Sequence, residues 1–471
     1  LLNRHATQKL KIKILKLQII NVCGGKTESL KRGRKESKES DKTASIVEFD
    51  KYFSAASKAT DYLISKVESN GYISASSDYK DYDPHWFRDS SWIAIALLKY
   101  ADFAKDKVQN ADDAREAATR IIDFNLRAIS NFSGNIRSIK NISFSDPDFF
   151  NLSHHLPMRV GRSGSFYSGG LIDDSKEIGV NRSWVIQYDT IPLVLYSLNE
   201  KSKRFGLNDF EIDFLRKHTQ DIAEYMAKVY TTECASAWEI KQDRLHAYDV
   251  AAIYAGFESL KELSAKYDIG ISPETIKKIE ENGNGQFFGG PLAFLKSFFV
   301  RNNILYSEKK PFDEPFKEVD ASEIFIFLNF GISGSMLGSE EIENNTISKM
   351  EKELFNGNML PIRFKGDNYF MGGRWLLLGL AFAEYYIKKG LYKKGVAILD
   401  YVIDKYNGSY PEQEIINPAS DTDLYGLYKL NGNKPIQNLA WSYAAVITAS
   451  LELLMHLPTA DQAIKDAARE K

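Results

Sequence analysis

From residue 46 onward the chain repeats one rhythm: two helical stretches joined closely, then a long polar or aromatic loop. Apolar residues recurring at three- and four-residue spacing predict helices at about 46–68, 89–106, 110–131, 184–201, 208–230, 247–267 and 273–282. More follow at about 320–331, 339–354, 373–389, 391–406 and 435–456. Long loops fall at about 70–88, 132–183, 231–246, 284–319, 356–372 and 407–434, roughly before every second helix. Close to twelve helices in antiparallel pairs suggest two concentric rings, an all-α (α/α)6 barrel with its long loops gathered at one end. A helical solenoid is the competing arrangement, but no repeat of fixed length is visible. Loops this long in a compact domain usually carry function.

The 471 residues suffice for a large core and are read as one large domain over residues 46–471. Residues 1–45 are read as a disordered basic lead-in, because "KTESLKRGRKESKESDKTAS" is almost free of apolar side chains. The balance of 61 Lys+Arg against 63 Asp+Glu argues against a nucleic acid or a membrane surface as partner. The two cysteines, Cys23 and Cys234, exclude a disulfide framework. No C-x-x-C or H-E-x-x-H spacing occurs, so neither a metal nor any other cofactor is expected. No uninterrupted apolar stretch approaches about 18 residues, so no transmembrane helix is predicted. "LKIKILKLQIINVC" is interrupted by lysine and makes a poor signal-peptide core. The setting expected is soluble, reducing and cytoplasmic.

Four of the loops hold carboxylates beside aromatics. "HWFRDSSW" carries Arg88 and Asp89, "NRSWVIQYD" carries Trp184, Gln187 and Asp189, "SAWEIKQD" sets Glu239 after Trp238, and "GSYPEQEIINPASD" carries Glu412 and Glu414. Cleaving a glycosidic bond needs one protonated carboxyl for the leaving oxygen and one ionised partner. An apolar neighbour such as Trp238 raises a carboxyl pKa by desolvation, which suits the acid. Tryptophan faces stack on sugars, and Arg and Asp fix their hydroxyls. Each feature also has a plain structural reading. Glu239 caps a helix, Glu412 is solvated, Asp89 and Asp189 are helix N-terminal charges, and His85 is a packing or loop-bonding residue.

Taken in order, the segments resemble the catalytic domain of glycoside hydrolase family 15, the glucoamylase family, over about residues 70–455. "WFRDSSWIAIAL" is similar to that family's W-x-R-D-[SA] segment, and "SWVIQYDTIPLVLYSL" resembles its Trp-bearing loop and following helix. "AWEIKQDRLHAYDVAAIYAG" resembles the W-E-E segment, and "VDASEIFIFLNFG" the D-A-S helix. "IRFKGDNYFMGGRWLLLGLAFAEYY" resembles R-Y-x-x-D-x-Y…G-G-P-W-x-L, and "PEQ…LAWSYAAVITA" the E-Q…L-x-W-S-[YH]-A ending.

The resemblance implies an exo-acting, inverting hydrolase that releases β-glucose from the non-reducing ends of α-linked gluco-oligosaccharides. Glu239 would be the general acid and Glu412 the general base. Arg88 and Asp89 would hold the terminal glucose and Arg363 the neighbouring sugar. Trp184, Asp189, Trp238 and Trp441 would complete the pocket. Inverting pairs stand about 6.5–9.5 Å apart to admit water. The chain departs from the pattern at Ile240, at Arg374 and at Thr190-Ile191. Neither an N-terminal β-sandwich nor a starch-binding domain is recognised, which points to short oligosaccharides over starch. The lead-in to "HWFRD" looks more like the isomaltose-hydrolysing branch than fungal glucoamylases. A trehalose-cleaving member and a non-catalytic sugar-binding regulator of the same fold are the alternatives.

Overall fold

A computed structural model describes residues 37–469 apart from 79–81, 106, 107, 109, 147, 148, 150–153, 166–185, 239–243, 281–288, 310–317, 368, 416–431 and 433. Its principal helices run in chain order as α1 (Ser37–Lys66), α2 (Phe87–Phe103), α3 (Asn110–Asn131), α4 (Thr190–Phe205) and α5 (Asp209–Val229), with short helical turns at Ser133–Ser138 and Gly334–Leu337 left unnumbered. Next come α6 (Ala247–Tyr267), α7 (Pro273–Glu280), α8 (Gly290–Phe299) and α9 (Ile324–Leu328), the last entered through a 3-10 turn at Ala321–Glu323. The chain closes with α10 (Glu340–Met350), α11 (Leu376–Lys388), α12 (Tyr392–Tyr406) and α13 (Ala440–Arg469).

Helices α2, α4, α6, α9, α11 and α13 touch one another in that order, and α13 returns to α2, so they close an inner ring. The remaining helices pack outside it: α1 against α13, α3 against α2 and α4, α5 and α8 against α6, and α12 against α11 and α13. Outer α10 is tied to inner α11 by the Tyr385 hydroxyl, which donates to Glu343 at 2.8 Å. This is the (α/α)6 barrel. Side-chain patterning explains which helix goes where. Every residue of α11 from Leu376 to Ile387 is buried, as a helix flanked on all sides requires. Outer α3 instead buries a single stripe through Ala114, Ala118, Ile121, Ile122, Asn125 and Ile129.

Because inner and outer helices alternate, all inner N-termini open at one end of the barrel. An aromatic layer plugs the axis just beneath that end. Trp92 of α2 stacks on Trp441 of α13 at 6.4 Å and 7°, and Phe325 of α9 lies 5.5 Å from Trp92 and 5.6 Å from Trp441. Farther along the inner ring, Glu384 of α11 accepts from Lys99 of α2 at 3.2 Å and pairs with Lys388 at 3.2 Å.

Several boundaries differ from the sequence reading. Helix α1 begins at Ser37, inside the stretch read as a disordered lead-in. Residues 37–66 contain no Gly or Pro, so no breaker stops the Ser- and Lys-rich stretch 37–45 from extending the helix past its apolar part. Helix α8 occupies part of the expected 284–319 loop; its Gly289-Gly290-Pro291 start looks like a turn, yet proline is pre-organised for a first helical turn. The helix expected at 184–201 starts at Thr190. By length and hydropathy Ala440–Leu457 would suffice to cross a membrane, but 83% of it is buried as barrel wall.

Candidate active site

Short antiparallel strand pairs anchor the loops to the mouths of three inner helices. His85–Trp86 pairs with Arg159–Val160, Leu245–His246 with Glu308–Lys309, and Arg374–Trp375 with Gln413–Glu414. In each, an extended residue (Trp86, His246 or Trp375) immediately precedes the helix. The first turn after Trp86 presents Arg88 and Asp89, both buried. Arg88 Nη1 donates to Gln187 Oε1 at 3.0 Å and to Asp189 Oδ2 at 3.4 Å, while its Nε lies 3.7 Å from Asp89 Oδ1. The guanidinium centre stands 5.8 Å from the Trp441 ring. Asp189 occupies the cap position of α4, yet its side chain does not cap the helix. It turns inward to Arg88 instead.

Across the mouth, the pairing of Gln413 with Trp375 fixes Glu412. The Glu412 N–H donates to the Ile436 carbonyl at 2.9 Å, and the Leu376 N–H donates to the Glu412 carbonyl at 3.2 Å. Its side chain is 2% exposed and accepts from the Tyr82 hydroxyl at 2.7 Å and from Gln413 Nε2 at 3.4 Å. Tyr82 is also hydrogen-bonded to the Tyr369 hydroxyl. Burial pushes the Glu412 carboxyl up to about 8, and the charge of Asp89 adds to the rise. The Tyr82 bond, the Arg363 charge and Gln413 oppose it. Arg363 makes a two-pronged bond to Asp367, at 2.8 and 2.7 Å, within a box of Tyr369, Trp375, Trp238 and Phe364. Such a fork and aromatic box immobilise the guanidinium.

The loops that build this mouth are strained. Phe370 (φ 45°) and Met371 (φ 69°) adopt left-handed backbone beside Tyr369, Ser236 (φ 54°) stands just before Trp238, and Asn438 (φ 51°) just before Trp441. Each such residue costs on the order of 1–3 kcal/mol, and such strain gathers where side chains must be aimed. At Gly373 the chain passes close to Gln413: a Cβ there would meet Gln413 Oε1 at 2.2 Å and displace that side chain.

No family model matches the chain, and no curated protein sequence matches it. Solved structures do. A glycosidase variant in complex with glucose superposes with a TM-score of 0.67 at 17% identity, covering 86% of this chain and 98% of its own. The glucoamylase from Saccharomycopsis fibuligera gives a TM-score of 0.52 at 14% identity, covering 85% and 94%. The glycoside hydrolase family 15 glucoamylase from Hypocrea jecorina gives 0.54 at 16% identity, covering 84% and 70%. The chain has the glucoamylase fold.

Within this glucoamylase-like barrel, Arg88, Asp89, Asp189, Arg363, Glu412 and Trp441 all come to the open end. Glu239 and Trp184 lie outside the described residues, as does Ile240. Trp238 is buried, and its indole N–H donates to Asp320 Oδ1 at 2.6 Å. Glu414, two residues from Glu412, turns away to outer α12, where it accepts from Tyr401 at 2.7 Å and Tyr406 at 3.2 Å and pairs with Lys405. His85 is a buried structural residue: its Nδ1 accepts from the Ile73 N–H at 3.1 Å and its Nε2 meets Asn125 at 2.7 Å. Burial holds its pKa down near 4, so it stays neutral. Arg374 has an anchoring task, donating to the carbonyls of Leu354, Phe355 and Leu360 at 3.2, 3.0 and 2.8 Å.

Sequence reasoning missed Tyr82, Tyr369 and Asp249. Asp249, in the first turn of α6, is pushed up to about 7 by burial and by neighbouring Asp189. A Tyr-rich loop before "HWFRD" is the only signal that pointed towards Tyr82.

Proposed function

We propose that the protein is an exo-acting, inverting α-glucoside hydrolase that releases β-glucose from short α-linked oligosaccharides. The observation that carries this reading is Glu412: a buried carboxyl, held by backbone bonds on both sides and near enough to Asp89 and Arg363 to feel both charges. In the proposed reaction Glu412 takes a proton from water as its oxygen bonds to the anomeric carbon. Glu239 delivers a proton to the departing glycosidic oxygen as the old C–O bond breaks. Arg88, Asp89 and Asp189 orient the terminal glucose, and Arg363 meets the next sugar from its aromatic box.

The structural likeness to glycosidases and glucoamylases supports the fold on which this chemistry is proposed. The direct test compares Glu239→Gln and Glu412→Gln with the parent in glucose release from maltose, isomaltose and trehalose. Each should lose about 10²–10⁴-fold in rate while keeping the fold. Proton NMR of the first product should show β-glucose. Near-parental turnover by either variant, or an initial α-anomer, refutes the mechanism.

A further inference from the structure

The strand that leaves Glu412 is two residues long, Gln413–Glu414 against Arg374–Trp375, and a ladder so short is marginal unless something outside it holds it. Glu414 supplies that hold. The Tyr401 hydroxyl donates to its carboxylate, 3.0 and 2.7 Å from the two oxygens, and the Tyr406 hydroxyl donates at 3.2 Å. Lys405 pairs with the same carboxylate, so all three partners stand on outer helix α12. The residue opposite Glu414 in the ladder is tied down by its side chain as well. Arg374 donates to the carbonyls of Leu354, Phe355 and Leu360, in the segment that follows α10. The last rung is therefore fastened to the outer wall on both strands.

The other end of this strand is the pocket. Glu412 is bonded through its backbone to Ile436 and Leu376, and only Gln413 separates it from Glu414. Gln413 Nε2 in turn donates to Glu412 Oε2 at 3.4 Å, so a shift of the strand reaches the Glu412 carboxyl through both backbone and side chain. We infer that Glu414 is a positioning residue for the general base: by locking the strand to α12 it sets how the Glu412 carboxylate meets the attacking water. This inference rests on the reading of Glu412 as the base. It asks no proton chemistry of Glu414, whose carboxylate is committed to α12.

α-Glucosyl fluoride isolates the base. It brings no second sugar, so the Arg363 box, which the proposed reaction gives to the next sugar, has nothing to hold. The water oxygen bonds to the anomeric carbon, Glu412 takes the water proton, and the C–F electron pair leaves with fluoride. A misplacement of about 1 Å can cost about 10²-fold, so Glu414→Ala should lower kcat on α-glucosyl fluoride and on maltose alike, by about 10–100-fold. KM for the fluoride should stay within about twofold, as for an interaction made only in the transition state. Glu414→Gln keeps an oxygen for the tyrosine hydroxyls and should retain most of the parental rate, which a role as proton acceptor would not allow. Tyr401→Phe combined with Tyr406→Phe keeps both rings and removes two donors. It should show the same loss of kcat, and it reads the lock from the α12 side should Glu414→Ala not fold. A lowered denaturant midpoint with parental kcat would make Glu414 merely structural, and a loss confined to maltose would place its effect in the Arg363 box. Either result overturns the inference, as does a loss in Glu414→Gln equal to that in Glu414→Ala. Glu412→Gln, run beside them, separates the two claims. If it hydrolyses the fluoride at a near-parental rate, the reading of Glu412 falls and the inference with it; if it loses rate while Glu414→Ala does not, only the role of Glu414 falls.

Discussion

Tyr82→Phe removes the hydroxyl that donates to Glu412 Oε1 at 2.7 Å and keeps the ring in place. That bond favours the ionised form, so its loss must raise a carboxyl that burial already pushes up to about 8. A hydrogen bond to a charged group is worth about 1.5–3 kcal/mol, and one pKa unit corresponds to about 1.36 kcal/mol. Complete loss would thus shift Glu412 upward by about 1–2 units, and a replacing water would hold the shift near the lower figure. A general base works only when ionised, so Glu412 should set the ascending limb of kcat/KM against pH. Glucose release from maltose at low substrate, measured across pH, should show that limb displaced upward by about one unit in Tyr82→Phe. Once pH exceeds the displaced limb, the variant should approach parental rates to within about threefold, because the carboxyl is then ionised in both proteins. An unmoved limb, an acid shift or a uniform loss at every pH would refute both the bond's electrostatic role and the assignment of Glu412 as base.

Other consequences are readable in stability. Asp249, Asp320 and Glu412 are held above their ordinary values, so the folded chain keeps protons that the unfolded chain releases. Stability should therefore fall as pH rises from about 4 to about 8, and urea midpoints at pH 5 and pH 8 should show it. Asp249→Asn should flatten that fall; a midpoint that rises with pH would contradict it. Glu384 runs the other way: despite burial, Lys99 and Lys388 hold it near 2, so its contribution is lost only as pH drops from about 4.5 through 2. Arg374→Ala strands three carbonyls and should cost about 1–3 kcal/mol, lowering the denaturant midpoint with an unchanged slope. Lys201→Met leaves Glu211 buried without its 2.5 Å partner and should cost about 3–5 kcal/mol by the same assay.

The barrel was legible because its signal is local. Helical periodicity and alternating loop lengths need no knowledge of distant contacts, and α2, α3, α5 and α6 fall within a few residues of their expected ranges. Arg88 and Asp89 were legible for a similar reason, as a charged pair at a helix mouth. What escaped depends on partners far away in the chain. Tyr82 meets Tyr369 across 287 positions and Glu412 across 330, and Trp238 meets Asp320 across 82. Composition alone does not separate Glu412 from Glu414; the resemblance chose Glu412, and the Gln413–Trp375 register accounts for Glu414 turning to α12 instead. Arg374 read as a departure from a Pro-bearing pattern, and only the carbonyls of residues 354, 355 and 360 explain it.

Among the described residues, the open end gathers more acids than cations. Asp89 and Asp249 lie in the first turns of inner helices α2 and α6, Asp189 at the cap position of α4, and Asp320 and Glu323 at the cap and the end of the 3-10 turn that leads into α9. Converging helix N-termini ease this crowding, each by about 0.3–1 kcal/mol for a carboxylate in its first turn. That is too little to offset burial, which is why Asp249, Glu323 and Glu412 are all driven upward and retain protons in the folded chain. A neutral sugar gains hydrogen bonds from such a site but no net charge attraction. The oxocarbenium-like transition state of the proposed reaction is different, because positive charge develops on the ring. Carboxylates that carry charge, as in the ion pairs of Arg88 with Asp89 and Asp189, then stabilise that charge without reorganising, which favours the transition state over the bound sugar. On this account the loss of Asp189 or Asp89 as an anion should depress kcat more than it raises KM, whereas loss of a residue that only grips the sugar would do the reverse.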